Sequence, residues 1–119
     1  MLVADDSPVF LDAAAAVVEA TPGFEIAATC RSETRAIELA GTLRPNVVLL
    51  DESMAGADPA AAAREIAATS PETFVILVSA DPKPAGETPL INKGELSPAR
   101  LADLWRQRPA PGTGGVPAA

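Results

Sequence analysis

The sequence predicts an α/β domain built on a doubly wound parallel sheet. Short apolar runs alternate along the chain with segments of helical periodicity, the pattern of strand–helix–strand crossovers. Two of the runs, Val47 to Leu50 and Phe74 to Val78, show no polar alternation, as expected of strands covered on both faces. Each run also ends on a polar residue: Asp5 and Asp6 after Met1 to Ala4, Asp51 after Leu50, Ser79 after Val78, and Lys93 after Leu90-Ile91-Asn92. In a parallel sheet all five side chains meet at the carboxyl edge, where such sheets bind their ligands.

Each element follows from its neighbours. After the first strand, Ser7-Pro8 has the form of an N-cap followed by proline in the first turn. Phe10, Leu11, Ala14, Val17 and Val18 then recur at helical spacing until Pro22-Gly23 breaks the chain. Phe24 to Thr29 is a short strand candidate. From Ser32, the positions of Ala36, Leu39, Ala40 and Leu43 predict a helix with one buried stripe. Pro45-Asn46 precedes the third strand. Asp58-Pro59 opens a helix predicted to run to Ala68, and Ser70-Pro71 precedes the fourth strand. Leu96-Ser97-Pro98 with Leu101 has the spacing of a hydrophobic staple around an N-cap, and Leu101, Leu104 and Trp105 give the last helix its apolar face. From residue 109 to 119 the Pro/Gly/Ala-rich sequence has no periodicity, so we expect a domain over 1–108 and a flexible tail over 109–119.

Composition narrows the function. The chain has 119 residues, nearly half of them apolar but with three Phe, one Trp and no Tyr, so its core must be aliphatic. The formal charge of −7, without a run of basic residues, argues against direct nucleic-acid binding by this segment. Cys30 has no second cysteine to pair with, and the absence of His removes zinc-type sites. No signal peptide is visible and no stretch approaches the ~18 apolar residues of a membrane span, so the expected location is cytoplasmic, away from the membrane.

The chemistry of the convergent residues is that of a hard divalent cation and a phosphoryl group. Asp5, Asp6 and Asp51 offer the oxygen ligands that magnesium takes. A carboxylate can also act as a nucleophile towards phosphorus, with a fixed cation such as Lys93 and a hydroxyl such as Ser79 neutralising charge on the phosphoryl oxygens. A nicotinamide-binding domain would need a glycine-rich turn after the first strand, where this chain has acids.

Together these residues resemble the receiver domains of two-component response regulators. The resemblance runs from Met1 to about Arg108 and rests on Leu2-Val3-Ala4-Asp5-Asp6-Ser7-Pro8, Leu43-Arg44-Pro45-Asn46-Val47-Val48-Leu49-Leu50-Asp51, Val78-Ser79-Ala80 and Lys93. Pro22-Gly23-Phe24-Glu25 is similar to receivers that precede helix-turn-helix outputs. The resemblance implies a flavodoxin-like five-stranded sheet of order 2-1-3-4-5. It implies that Asp51 accepts a phosphoryl group from a sensor histidine kinase or phosphotransfer protein, and that Asp5, Asp6, Asp51 and the Ser53 backbone carbonyl hold Mg2+. Ser79 would be the switch hydroxyl, Ala80 its small neighbour and Lys93 the phosphate-binding lysine. Such a domain is not an enzyme beyond its own phosphorylation and dephosphorylation; a homodimer is left open.

The chain departs from the family between Ser79 and Lys93. That segment is about two helical turns short for the usual fourth helix, and carries Pro82, Pro84 and Pro89, each costing about 3 kcal/mol or more inside a helix. A loop is expected there. Leu90 stands where the family usually has a rotating aromatic. These departures motivate a second reading, a receiver-like interaction module that works without phosphorylation. Haloacid-dehalogenase-type phosphatases fit less well, because Ser53 occupies the position of their second aspartate.

Overall fold

The computed structural model of the chain describes residues 1–54, 58–80 and 90–108. Its elements are β1 (Leu2–Ala4), α1 (Pro8–Ala20), β2 (Ala28–Cys30), α2 (Glu33–Leu43), β3 (Val47–Asp51), α3 (Pro59–Thr69), β4 (Phe74–Ser79), β5 (Leu90–Asn92), a 3-10 turn (Lys93–Glu95) and α4 (Pro98–Arg106). The strands form one sheet of order β2-β1-β3-β4-β5 in which every pairing is parallel. Among the described residues there are four α-helices, and none of these four falls between β4 and β5. The loop expected over residues 81–89 and the tail expected over 109–119 lie outside the described residues.

Local sequence starts each helix. Ser7 Oγ accepts from the Phe10 amide, Ser32 Oγ from Arg35, Asp58 Oδ1 from Ala61 and Ser97 Oγ from Arg100. Each bond satisfies one of the amides that a helix N-terminus leaves without a partner. Pro8, Pro59 and Pro98 open three of the helices, where a missing N–H costs nothing.

The sheet is buried on both faces, and successive residues of each strand supply opposite cores. Val3, Leu49, Ile76, Val78 and Ile91 point to one side and meet Leu11, Ala14, Val18, Leu101 and Leu104 of α1 and α4. Leu2, Ala4, Val48, Leu50 and Leu77 point to the other and meet Ala36, Ala40, Ala62, Ala63 and Ile66 of α2 and α3. Alanines at the second interface let those helices lie close to the sheet. The two faces explain why β3 and β4 carry no polar alternation.

Two expectations need correction. The second strand is not Phe24 to Thr29 but Ala28–Cys30, with pairing beginning at Leu2↔Ala28. Thr21 to Phe24 instead makes a tight turn, with the Phe24 amide donating to Thr21 O at 3.1 Å and Gly23 at φ 84°, the left-handed value such a turn requires. Phe24 is then free to set its ring edge-on to Trp105 of α4, with centroids 6.2 Å apart. Leu43, assigned to the buried stripe of α2, is 44 % exposed. It is the last residue of the helix, and Arg44 turns the chain away in the left-handed conformation at φ 47°.

Core packing leaves a sharp contrast between two neighbours on α1. Ala14 is fully buried against the sheet, whereas Ala13 is exposed. Ala14→Leu is expected to lower the unfolding free energy by about 1–3 kcal/mol through overpacking. Ala13→Leu should stay within about 0.5 kcal/mol of the parent. Urea denaturation of the two variants measures both.

Candidate functional site

Strand register builds the site. Ala4 pairs with Leu50 and Asp51 with Val78, so Asp5 and Asp51 leave the ends of β1 and β3 side by side. Ser79 pairs with Asn92, which sets Lys93 one residue beyond the end of β5. The backbone closes over this edge through the Asp5 amide donating to Cys30 O and the Glu52 amide donating to Val78 O, each at 3.0 Å. The strand ends thus share one edge, where the side chains of Asp5, Asp6, Asp51 and Lys93 come together. Asp5, Asp51 and Ser79 are buried, Asp6 is exposed at the rim, and the Lys93 side chain keeps 21 % of its surface.

The carboxylates are close to one another. Asp5, Asp6 and Asp51 each present an oxygen, and these three atoms lie within 4.8 Å of one another. Asp5 Oδ1 accepts from the Ser7 amide at 2.8 Å. Asp51 Oδ1 accepts from both the amide and the hydroxyl of Ser53, at 3.1 and 2.9 Å. Ser53, expected to contribute through its carbonyl, thus also fixes the orientation of Asp51 through its two donors. Asp51 Oδ2 accepts no hydrogen bond among the described residues.

Lys93 supplies the positive charge. Its Nζ lies 2.6 Å from Asp5 Oδ2 and 3.7 Å from Asp51 Oδ2, so the shorter ion pair is with Asp5. Burial nevertheless pushes the Asp5 carboxyl above its usual range, against the opposing pull of Lys93 and the Ser7 amide; the charge on Asp51 pushes in the same direction as burial. A buried acid that holds its proton more tightly than usual gains from a further cation, which would favour its ionised form.

Four contributing residues were not singled out from the sequence. Phe10, assigned to the apolar stripe of α1, is half-buried and places its ring centroid 4.7 Å from Lys93 Nζ. Asn92 and Glu95 form a reciprocal capping box around Lys93. Asn92 Oδ1 accepts from the Gly94 amide at 2.7 Å, and Glu95 Oε1 accepts from the Asn92 amide at 3.1 Å. An acceptor residue followed three positions later by Glu is a legible sequence signal for such a box. Arg31, in the loop after β2, donates from its guanidinium to the Asp6 carbonyl at 3.1 Å and steadies the rim.

Chemically, the arrangement offers a set of hard oxygen donors and a buried carboxylate whose second oxygen faces an ammonium. Oxygen donors of this kind suit magnesium rather than a soft metal.

Comparison with known proteins places the fold and the family. The family model of the response regulator receiver domain matches residues 1–94. A protein-glutamate methylesterase/protein-glutamine glutaminase from Anaeromyxobacter dehalogenans is 38 % identical over 108 residues, covering 87 % of this chain and 31 % of that protein. A namesake from Alkalilimnicola ehrlichii is 32 % identical over 106 residues, covering 87 % of this chain and 27 % of that protein. The chain thus spans under a third of the length of both of these relatives. Among solved structures, the signal receiver domain of NarL from Mycobacterium tuberculosis superposes with a TM-score of 0.78 at 24 % identity, covering 90 % of this chain and 95 % of that one. The response regulator domain of CheB from Thermotoga maritima gives 0.74 at 23 % identity, covering 89 % and 92 %. The strand order, the convergent acidic edge and the match over most of its length establish that the chain belongs to the response regulator receiver domain family.

Proposed function

We propose that this receiver accepts a phosphoryl group on Asp51 from the phosphohistidine of a sensor kinase or phosphotransfer protein, in a reaction that depends on magnesium. The observation that carries the reading is the Asp5–Asp6–Asp51 cluster facing the Lys93 ammonium at the carboxyl edge of the sheet. Asp51 Oδ2, which accepts no hydrogen bond among the described residues, is the oxygen we assign to attack phosphorus. The oxygen–phosphorus bond forms as the nitrogen–phosphorus bond of the donor breaks, and the imidazole keeps the electron pair. Ser53 holds Oδ1 and so leaves the second oxygen facing Lys93.

A divalent cation fits the donor set, since Asp5, Asp6 and Asp51 each offer a carboxylate oxygen and these lie within 4.8 Å of one another. Asp5, Asp6, Asp51 and the Ser53 carbonyl are the ligands in this reading. When bound, magnesium supplies charge neutralisation for phosphoryl oxygens. Lys93 neutralises a further oxygen as a point charge, and the Ser79 hydroxyl donates to another. The unit that signals comprises residues 1–108, residues 109–119 serve as tail or linker, and the site of action is the cytoplasm. Relatives that carry a methylesterase name make a larger protein with a separate output the natural setting.

Incubation with acetyl phosphate and magnesium is expected to add the mass of one phosphoryl group to the intact protein. Asp51→Asn and removal of magnesium should each abolish the gain. A wild-type protein with no gain, and no response to beryllofluoride with magnesium, would favour the interaction-module reading instead.

Magnesium alone should raise the unfolding free energy, by about 2.7 kcal/mol at one hundred times Kd. The raised Asp5 pKa sets the sign of this residue's own contribution to the pH dependence of stability. An acid whose folded-state value exceeds its unfolded value contributes stability at low pH, and that contribution is lost as pH rises through the folded value. At neutral pH Asp5→Asn is therefore expected to be more stable than the parent without magnesium and to gain less from adding it. Thermal melts with and without the ion check both signs.

A further inference from the structure

We propose that Phe10 is a positioning residue for Lys93, holding the ammonium beside Asp5 and Asp51 through the face of its ring. The Lys93 Nζ lies 4.7 Å from the ring centroid while it pairs with the two carboxylates. A cation over an aromatic face is attracted by the ring quadrupole, and more strongly where water is largely excluded, as around this mostly covered side chain.

Several features aim the ring at the cation. The Phe10 amide donates to Ser7 Oγ at 3.3 Å, and the Ser7 amide donates to Asp5 Oδ1 at 2.8 Å. One turn of backbone therefore sets both the ring and the carboxylate that Lys93 touches. The ring also packs against the core formed by α1, α4 and the sheet, which fixes its tilt. From the other side, the Asn92–Glu95 capping box fixes the backbone from which the lysine springs. Leu11, Ala14 and Val18 form the buried stripe of α1, and Phe10 lies beside it, partly covered. The aromatic that contacts this site thus comes from the first helix, in a chain whose β5 begins with Leu90.

The kinetic consequence of this proposal rests on the phosphoryl reading; the contact itself does not. The chain has two lysines, Lys83 and Lys93, so isotope labelling of lysine gives two side-chain signals. In the metal-free protein the Lys93 ε-methylene protons should be shifted upfield of those of Lys83 by the ring current. Phe10→Leu should abolish that shift and Phe10→Tyr should keep it. With acetyl phosphate and magnesium, Phe10→Leu is expected to slow modification by about 3- to 30-fold, the span of exposed to desolvated cation–π contacts, while Phe10→Tyr stays within about 2-fold of the parent. In a Lys93→Met background Phe10→Leu should cause no further loss. The proposal is overturned if the ring-current shift survives Phe10→Leu, if Tyr behaves as Leu, or if Phe10→Leu slows the Lys93→Met protein by the same factor. If the parent takes up no phosphoryl group, the phosphoryl reading fails and the Lys93 resonances alone decide the contact.

Discussion

Two carboxylates without solvent exposure, Asp5 and Asp51, share one ammonium. The rest of the structure depends on this constraint. A buried carboxylate without a counter-charge is strongly unfavourable, so Lys93 has to reach the edge of the sheet from β5. That requirement fixes where β5 ends, why a capped 3-10 turn follows it at once, and why Ser79 and Asn92 stay in register. Even with Lys93 in place, Asp5 remains harder to ionise than an exposed aspartate, because burial outweighs the ion pair. Burial of Asp5 therefore carries an electrostatic cost at this edge, offset by the aliphatic core beneath.

That core is divided between the two faces of the sheet, and the division serves the site. Leucine, valine and isoleucine fill both sides of β3 and β4, making the strands rigid platforms for the residues that follow them. Loops add only what strands cannot: Ser7 and Ser53 orient one oxygen of each buried carboxylate and leave the other directed toward Lys93. The site thus stands on parallel register, with the loops setting the orientation of individual oxygens.

Much of this was legible in the sequence because the signals are local or periodic. Ser7, Ser32, Asp58 and Ser97 each cap the helix they precede, and the unbroken apolar runs of β3 and β4 mark strands buried on both faces. The convergence of Asp5, Asp51, Ser79 and Lys93 followed from strand ends alone. What stayed hidden depends on tertiary contacts. Phe24 has the β-propensity of a strand residue, yet its partner is Trp105, far along the chain, and β2 begins four residues later than expected. Leu43 fits the helical period but falls at a helix end that turns away from the core. Sequence spacing names a lysine and three acids; it does not say that the ammonium lies nearer Asp5 than Asp51, or that Phe10 stands beside it.

We propose that this edge directs a phosphoryl group to one residue, Asp51. Borohydride reduction after treatment with acetyl phosphate and magnesium tests it most directly, because an acyl phosphate on aspartate is reduced to homoserine at the position that carried it. Peptide sequencing by mass spectrometry should find homoserine at position 51 alone. Reduction at position 5 or 6, or at none, would contradict the account.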